Sequence, residues 1–197
     1  EGMWRTQPQA DLQVSGEPVR YQLTQEPHQL PWALVMDATP EAPELPGRRL
    51  RMTPDLQWIS NRPFSELVRF EATSYPEFRH GPLQMTPALR AFTELPPGYN
   101  PRTLQLAADM RADPALAGAD TAALVNAAML RLRTGGYTYT LEPGVSGQHS
   151  ADEFWFDTKA GFCEHIASAF VVLMRALDIP SRIVTGYQGG ELNGVDG

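Results

Sequence analysis

Cysteine occurs once in these 197 residues, at position 163, so no disulfide forms within the chain. Positive charge is in the minority. Sixteen Lys and Arg against 23 Asp and Glu leave a formal net charge of −7, which argues against a nucleic-acid groove built on clustered cations. The one basic cluster, Arg48-Arg49-Leu50-Arg51, reads as a solvated strand end. Long apolar runs are missing too: none approaches the ~20 residues that span a bilayer. No group of side chains has metal-ligand spacing, and no glycine loop has the phosphate-binding form, so neither metal nor cofactor is expected. The N-terminus, Glu1-Gly2-Met3-Trp4-Arg5, is neither a start methionine nor a signal peptide. The chain therefore reads as a piece of a longer protein. A chain this long buries ~70% of its unfolded surface, enough for a core without staples.

What is present divides near residue 84. Up to that point the signals are strand signals. Val19, Tyr21 and Leu23 alternate with Arg20, Gln22 and Thr24, as a half-buried strand requires. Trp32-Leu34-Met36, Leu50-Met52, Leu56-Trp58 and Val68-Phe70-Ala72 repeat the period, separated by turn formers such as Pro46-Gly47 and Pro54-Asp55. Residues 1–84 are expected to form a β-sandwich-like domain.

Residues 85–197 carry helix signals. Thr86-Pro87 pairs an N-cap with proline at the first helical position and predicts a short helix to about Thr93. Asn100-Pro101 opens a second, to about Ala112. Asp120 caps a third that Gly135-Gly136 ends. Tyr137 to Leu141 reads as a strand, Glu142 to His149 as a loop, and Asp152 to Thr158 leads into the next helix. Asp152 and Glu153 are read as adjacent strand residues that face opposite ways and so form no catalytic dyad. Ile183-Val184-Thr185 is a β-branched run and predicts a further strand.

Between these lies the stretch that points to chemistry. Ile166, Phe170, Leu173, Met174 and Leu177 form one apolar stripe at helical spacing. Cys163 sits at the first turn of that helix, just after Gly161-Phe162. Backbone N–H groups there lack intrahelical partners and the macrodipole favours an anion. Both effects favour the thiolate, the nucleophilic form of cysteine. A lone cysteine on an apolar stripe also has a plainer reading, as a small buried hydrophobe.

The stretches Tyr137 to Pro143, Asp152-Glu153-Phe154, Phe156-Asp157-Thr158, Gly161-Phe162-Cys163-Glu164-His165, Ala167 to Phe170, Arg175-Ala176, Ile179 to Arg182 and Val184 to Gly190 carry a resemblance. In order and spacing they resemble the transglutaminase-like superfamily of papain-fold thiol enzymes. More narrowly they are similar to the periplasmic domains of TgpA-type bacterial membrane proteins. In the first 84 residues only Gly2-Met3-Trp4-Arg5 and the Pro46-to-Trp58 region share it. The resemblance implies an α+β fold: a β-sandwich-like module, then the first part of a papain-like core, cut at both ends. It implies that Cys163 is the nucleophile, and that a histidine base and an orienting aspartate lie downstream of Gly189-Gly190. No residue here matches either one. Asp178 stands where the family commonly has glycine.

Within the chain, His165 points ~200° around the helix from Cys163 and so is expected to pack or bond at the surface. Glu164 is expected to assist the helix start electrostatically, and His149 to be a solvated loop residue. Trp155 either lines the acyl pocket and offers its indole N–H to an oxyanion, or packs in the core or at its rim. Tyr187 either borders the cleft or packs. The expected reaction is acyl transfer from a protein or peptide glutamine to an amine or to water through a Cys163 thioester. A protease or amidase on the same fold, or an idle binding scaffold, is the alternative. The resemblance also implies a periplasmic site, with membrane anchors outside this chain. The expected partner is a further segment of the same protein, laying strands over the stripe of the Cys163 helix.

Overall fold

The computed structural model describes residues 11–82, 84–187, 189–191 and 194. The Gly2-Met3-Trp4-Arg5 resemblance and Gln188 of the last motif lie outside them. The fold is α+β, and the chain divides into two compact units at Gln84/Met85.

The first unit contains β1 (Leu12–Ser15), β2 (Val19–Gln25), β3 (Trp32–Ala33), β4 (Leu50–Met52), β5 (Trp58–Ser60), β6 (Val68–Ser74) and β7 (Glu77–His80). All ladders are antiparallel: β1 with β7, β2 with β6, and β5 between β3 and β4. Ser15 faces Glu77 and Val19 faces Ser74. Gly16, Glu17 and Pro18 thus oppose only Tyr75 and Pro76, a one-residue excess of the kind that bends a ribbon. Gly16 takes φ +76 there, a conformation open to glycine.

The ribbon and the three-stranded sheet share one core, in which Ala33, Trp58, Phe64, Phe70 and Ala72 are buried. Polar groups inside it are paired. The Trp58 indole donates to the Thr39 carbonyl at 2.9 Å, and buried Gln25 accepts from Leu34 N and donates to Trp32 O. The basic cluster corrects its sequence reading. The Arg48 side chain is 2% exposed, lies 4.3 Å over the Phe64 ring and donates to Ser60 Oγ, Arg62 O and Pro63 O. It joins two loops from within. His28 accepts from Leu30 N through Nδ1, and His80 Nε2 lies 2.8 Å from the Pro54 carbonyl.

The second unit contains α1 (Pro87–Arg90), α2 (Pro101–Ala112), α3 (Thr121–Thr134), β8 (Thr138–Tyr139), α4 (Ser150–Asp152), β9 (Ala160–Gly161) and α5 (Cys163–Ala176). Thr86 Oγ1 caps α1 through Leu89 N, and Asp120 Oδ1 caps α3 through Ala123 N. Asp178 follows α5 at φ +55. Its N–H bonds Arg175 O, and the N–H of Ile179 bonds Met174 O. That is a Schellman ending with aspartate where glycine is usual.

Three expectations need correction. Asp152 and Glu153 do not lie on a strand: α4 runs directly into a π-helical turn, Glu153–Thr158, with Phe154 and Trp155 buried. No strand forms at 183–185 among the described residues; Val184 is 80% exposed. The α5 stripe is covered largely from within this chain. The helix packs on α2 and α4, and Leu173, Met174 and Leu177 are buried beside Trp155, Ala107 and Leu124. Ile166 and Phe170 remain half-buried.

Candidate active site

The thiol's position is set by a short parallel ladder. Thr138 N donates to Lys159 O at 2.8 Å and Thr140 N to Gly161 O at 3.0 Å, pairing β8 with β9. This fixes the chain as it enters α5. Phe162 is the N-cap, with φ −105 and ψ −173, extended backbone that any residue adopts. Its side chain caps nothing, so the first N–H groups of α5 have neither an intrahelical acceptor nor a capping side chain. Cys163 is the first residue of the helix and is exposed. An anion beside it meets unengaged donors and the positive end of a helix dipole.

Close packing holds this start in shape. Gly161 is buried, and a Cβ there would lie 2.6 Å from His165 Cβ. The His165 ring meets Phe162 edge-on at 4.5 Å. Its Nδ1 is buried without a hydrogen-bond partner. No imidazole among the described residues hydrogen-bonds to the thiol. His149 is held elsewhere: its Nδ1 accepts from Asn100 N at 3.0 Å, so it is a pinned residue and not a solvated one.

Trp155 has no exposed surface. Its indole N–H donates to the Ala169 carbonyl in the second turn of α5, at 3.1 Å. The expectation of an indole donor at an oxyanion is corrected, because that donor is already used. Trp155 acts instead as the post that carries α5. Tyr137 supports it from below, donating its hydroxyl to Trp155 O at 3.0 Å and stacking on Phe154 at 5.2 Å. Glu164 is exposed in the first turn of α5, and Tyr187 is 89% exposed rather than packed.

A second layer, not legible in the sequence, fixes that post. Asp152, 3% exposed, accepts from Arg102 N, Thr103 N and Thr103 Oγ1. In return, Asn100 Oδ1 accepts from Ala151 N and Asp152 N. The partners lie about fifty residues apart, and only the Asn100-Pro101 pair hinted at a helix start. No cluster of three or more His, Cys, Asp or Glu suited to a metal occurs among the described residues. None of their helices is long and apolar enough to cross a membrane.

Comparison with known proteins agrees with this arrangement. The model of the transglutaminase-like superfamily matches residues 109–197. A protein-glutamine gamma-glutamyltransferase of Pseudomonas aeruginosa is 32% identical over 191 residues, 96% of this chain and 27% of that protein. Uncharacterized protein YebA of Bacillus subtilis is 40% identical over 63 residues, 30% of this chain and 8% of that protein. The crystal structure of the periplasmic domain of TgpA from Pseudomonas aeruginosa superposes with a TM-score of 0.81 at 32% identity. That match covers 92% of this chain and 60% of the crystallised one. The chain thus spans about a quarter of the first relative. A thiol at a helix start and a two-unit α+β fold thus accompany a match of residues 109–197 to the transglutaminase-like superfamily, in a fold similar to the TgpA periplasmic domain.

Proposed function

We propose that residues 85–197 are the first part of a catalytic domain for thiol acyl transfer, with Cys163 as nucleophile. The Cys163 thiolate attacks the carbonyl carbon of a glutamine side chain. The free N–H groups at the start of α5 hold the resulting oxyanion. Ammonia leaves and a thioester remains. An amine nitrogen then attacks that carbon, the C–S bond breaks, and sulfur departs as thiolate, giving an isopeptide; water in its place gives glutamate. One observation carries this reading: the exposed Cys163 thiol heads a helix whose first donors no side chain caps.

The general base is assigned to a histidine elsewhere in the protein, oriented by an aspartate, as the family resemblance implies. His149 and His165 are engaged in packing and capping. The Pseudomonas relatives, one named as a protein-glutamine gamma-glutamyltransferase and one as a periplasmic domain, support protein glutamines as donors. They also support action in the periplasm, with the anchor outside this chain.

The test uses the whole protein, a glutamine donor peptide and a fluorescent primary amine. Amine incorporation is expected in the wild type and none in Cys163→Ala. A covalent donor adduct on Cys163 is expected on rapid acid quench. Equal incorporation by Cys163→Ala removes the assignment. The second reading is an idle scaffold that binds partners through the same fold. It predicts neither adduct nor incorporation in the wild type.

A further inference from the structure

A thioester is attacked by any unprotonated amine within reach, including one on its own protein. Held in the same molecule, such an amine acts at millimolar or higher effective concentration and outcompetes a dilute partner. The composition bears on this directly. Sixteen residues are Lys or Arg, and a single one of them, Lys159, is lysine. Lysine is ordinarily among the commonest residues. Arginine supplies the same charge but stays protonated at any working pH and offers no nucleophilic nitrogen.

The one lysine stands four positions before Cys163, about 13 Å along an extended chain. Its amine is tied down. Lys159 is half-buried, its Nζ donates to the Gly135 carbonyl at the end of α3 at 3.1 Å, and the same nitrogen lies 5.6 Å over the Tyr137 ring. Its backbone takes φ +47, a conformation that costs a non-glycine residue energy and turns the chain from the π-helical turn into β9.

We propose that residues 1–197 keep their own amines from the thiol, with their single lysine, Lys159, held back by its bond to Gly135, so that none of them competes with the acceptor amine for the acyl group. This rests on the acyl-transfer reading above. The excluded step is attack of a lysine Nζ on the thioester carbon. A C–N bond would form, the C–S bond would break, the sulfur would leave as thiolate and the amine proton would pass to the base.

The test adds a side-chain amine to a stretch of these residues that has none. Leu141 is 74% exposed. Thr140 N donates to Gly161 O at 3.0 Å, so position 141 follows directly on the short ladder that leads, two residues after Gly161, into Cys163. The whole protein is incubated with a glutamine donor peptide, with and without dansylcadaverine, and the products are mapped by peptide mass spectrometry. In the wild type, Lys159 is expected to stay unmodified while dansylcadaverine is incorporated. In Leu141→Lys, the introduced amine is expected to carry the donor peptide and incorporation to fall several-fold. Leu141→Arg behaves as wild type. Val145→Lys, in a fully exposed loop position, serves should the first variant fold poorly. Acylated Lys159 in the wild type, or unmodified introduced lysines in proteins that still label dansylcadaverine, overturns the proposal and leaves the scarcity of lysine compositional. No dansylcadaverine incorporation by the wild type instead removes the acyl-transfer reading, and the inference with it.

Discussion

Asn100 and Asp152 each cap the helix that the other begins or ends. Asn100 Oδ1 takes the N–H groups of Ala151 and Asp152 at 3.1 and 3.4 Å. The Asp152 carboxylate takes those of Arg102 and Thr103 at 3.0 and 2.7 Å. Two helix starts, far apart in sequence, satisfy each other's orphan donors. Asp152→Ala leaves two N–H groups and the Thr103 hydroxyl without an acceptor in a buried site. A loss of about 3 kcal/mol is expected, read as a lower urea midpoint at unchanged slope. Asn100→Ala added to it should cost less than the sum of the two.

Trp155→Phe keeps an aromatic ring and removes the donor to Ala169. Stability should fall by about 1–2 kcal/mol. Below the melting transition, kcat/KM with a glutamine donor should stay within about threefold of wild type, since the indole carries α5 and does not touch the reacting atoms. A loss of 100-fold or more, the scale for a removed oxyanion donor, would return Trp155 to the reaction.

Gly161→Ala drives a methyl group into His165 Cβ, 2.6 Å away. The helix start or the imidazole has to shift, at a cost of about 1–3 kcal/mol. Thermal melting should show the loss, and iodoacetamide should alkylate Cys163 at an altered rate. An unchanged rate together with an unchanged Tm would mean that the contact yields freely.

Asp178 holds a left-handed conformation at φ +55, and its ion pair with Arg111, at 3.4 Å, involves an 85% exposed side chain. Such a pair contributes little, while glycine takes this conformation without strain. Asp178→Gly should therefore raise stability by about 0.5 kcal/mol. A lower Tm would show that the Arg111 contact matters more than the backbone.

Arg48→Lys tests whether charge alone suffices in the first unit. The guanidinium reaches three acceptors and lies over Phe64, a fork that an ammonium does not reproduce. A loss of about 2 kcal/mol is expected. Glu66→Gln, at a 66% exposed carboxylate 3.7 Å from Arg48, should change stability by under about 0.5 kcal/mol. Equal effects would put the ion pair, and not the carbonyl contacts, in charge.

Features set by neighbours in sequence were legible. Thr86 and Asp120 cap their helices within three residues of themselves, and the alternation in β2 and β6 follows from having one face buried. Features set by distant partners were not. Phe154-Trp155-Phe156 has local strand preference, but Trp155 reaches Ala169 and Tyr137 by coiling tightly, and burial outweighed propensity. Ile183-Val184-Thr185 has strand composition yet pairs with no described strand. Arg48 looked solvated because a run of charges does not reveal that its neighbour is a fully buried phenylalanine. At the site, Cys163 at the first turn followed from the helical stripe behind it, whereas the Asn100–Asp152 layer has no local signature.

The π-helical turn has a consequence for how this chain can change in length. A π turn is an α-helix carrying one residue too many. Deleting a single residue between Glu153 and Thr158 would shorten the coil that holds Asp152 on α2 at one end and Trp155 against α5 in its middle, so both contacts could no longer be kept at once. Trp155 would leave its slot, or Asp152 would lose α2. Deletions and insertions are therefore tolerable in the exposed segment around Val145 and intolerable a few positions later, a boundary that homologous sequences should respect as an abrupt end to gaps.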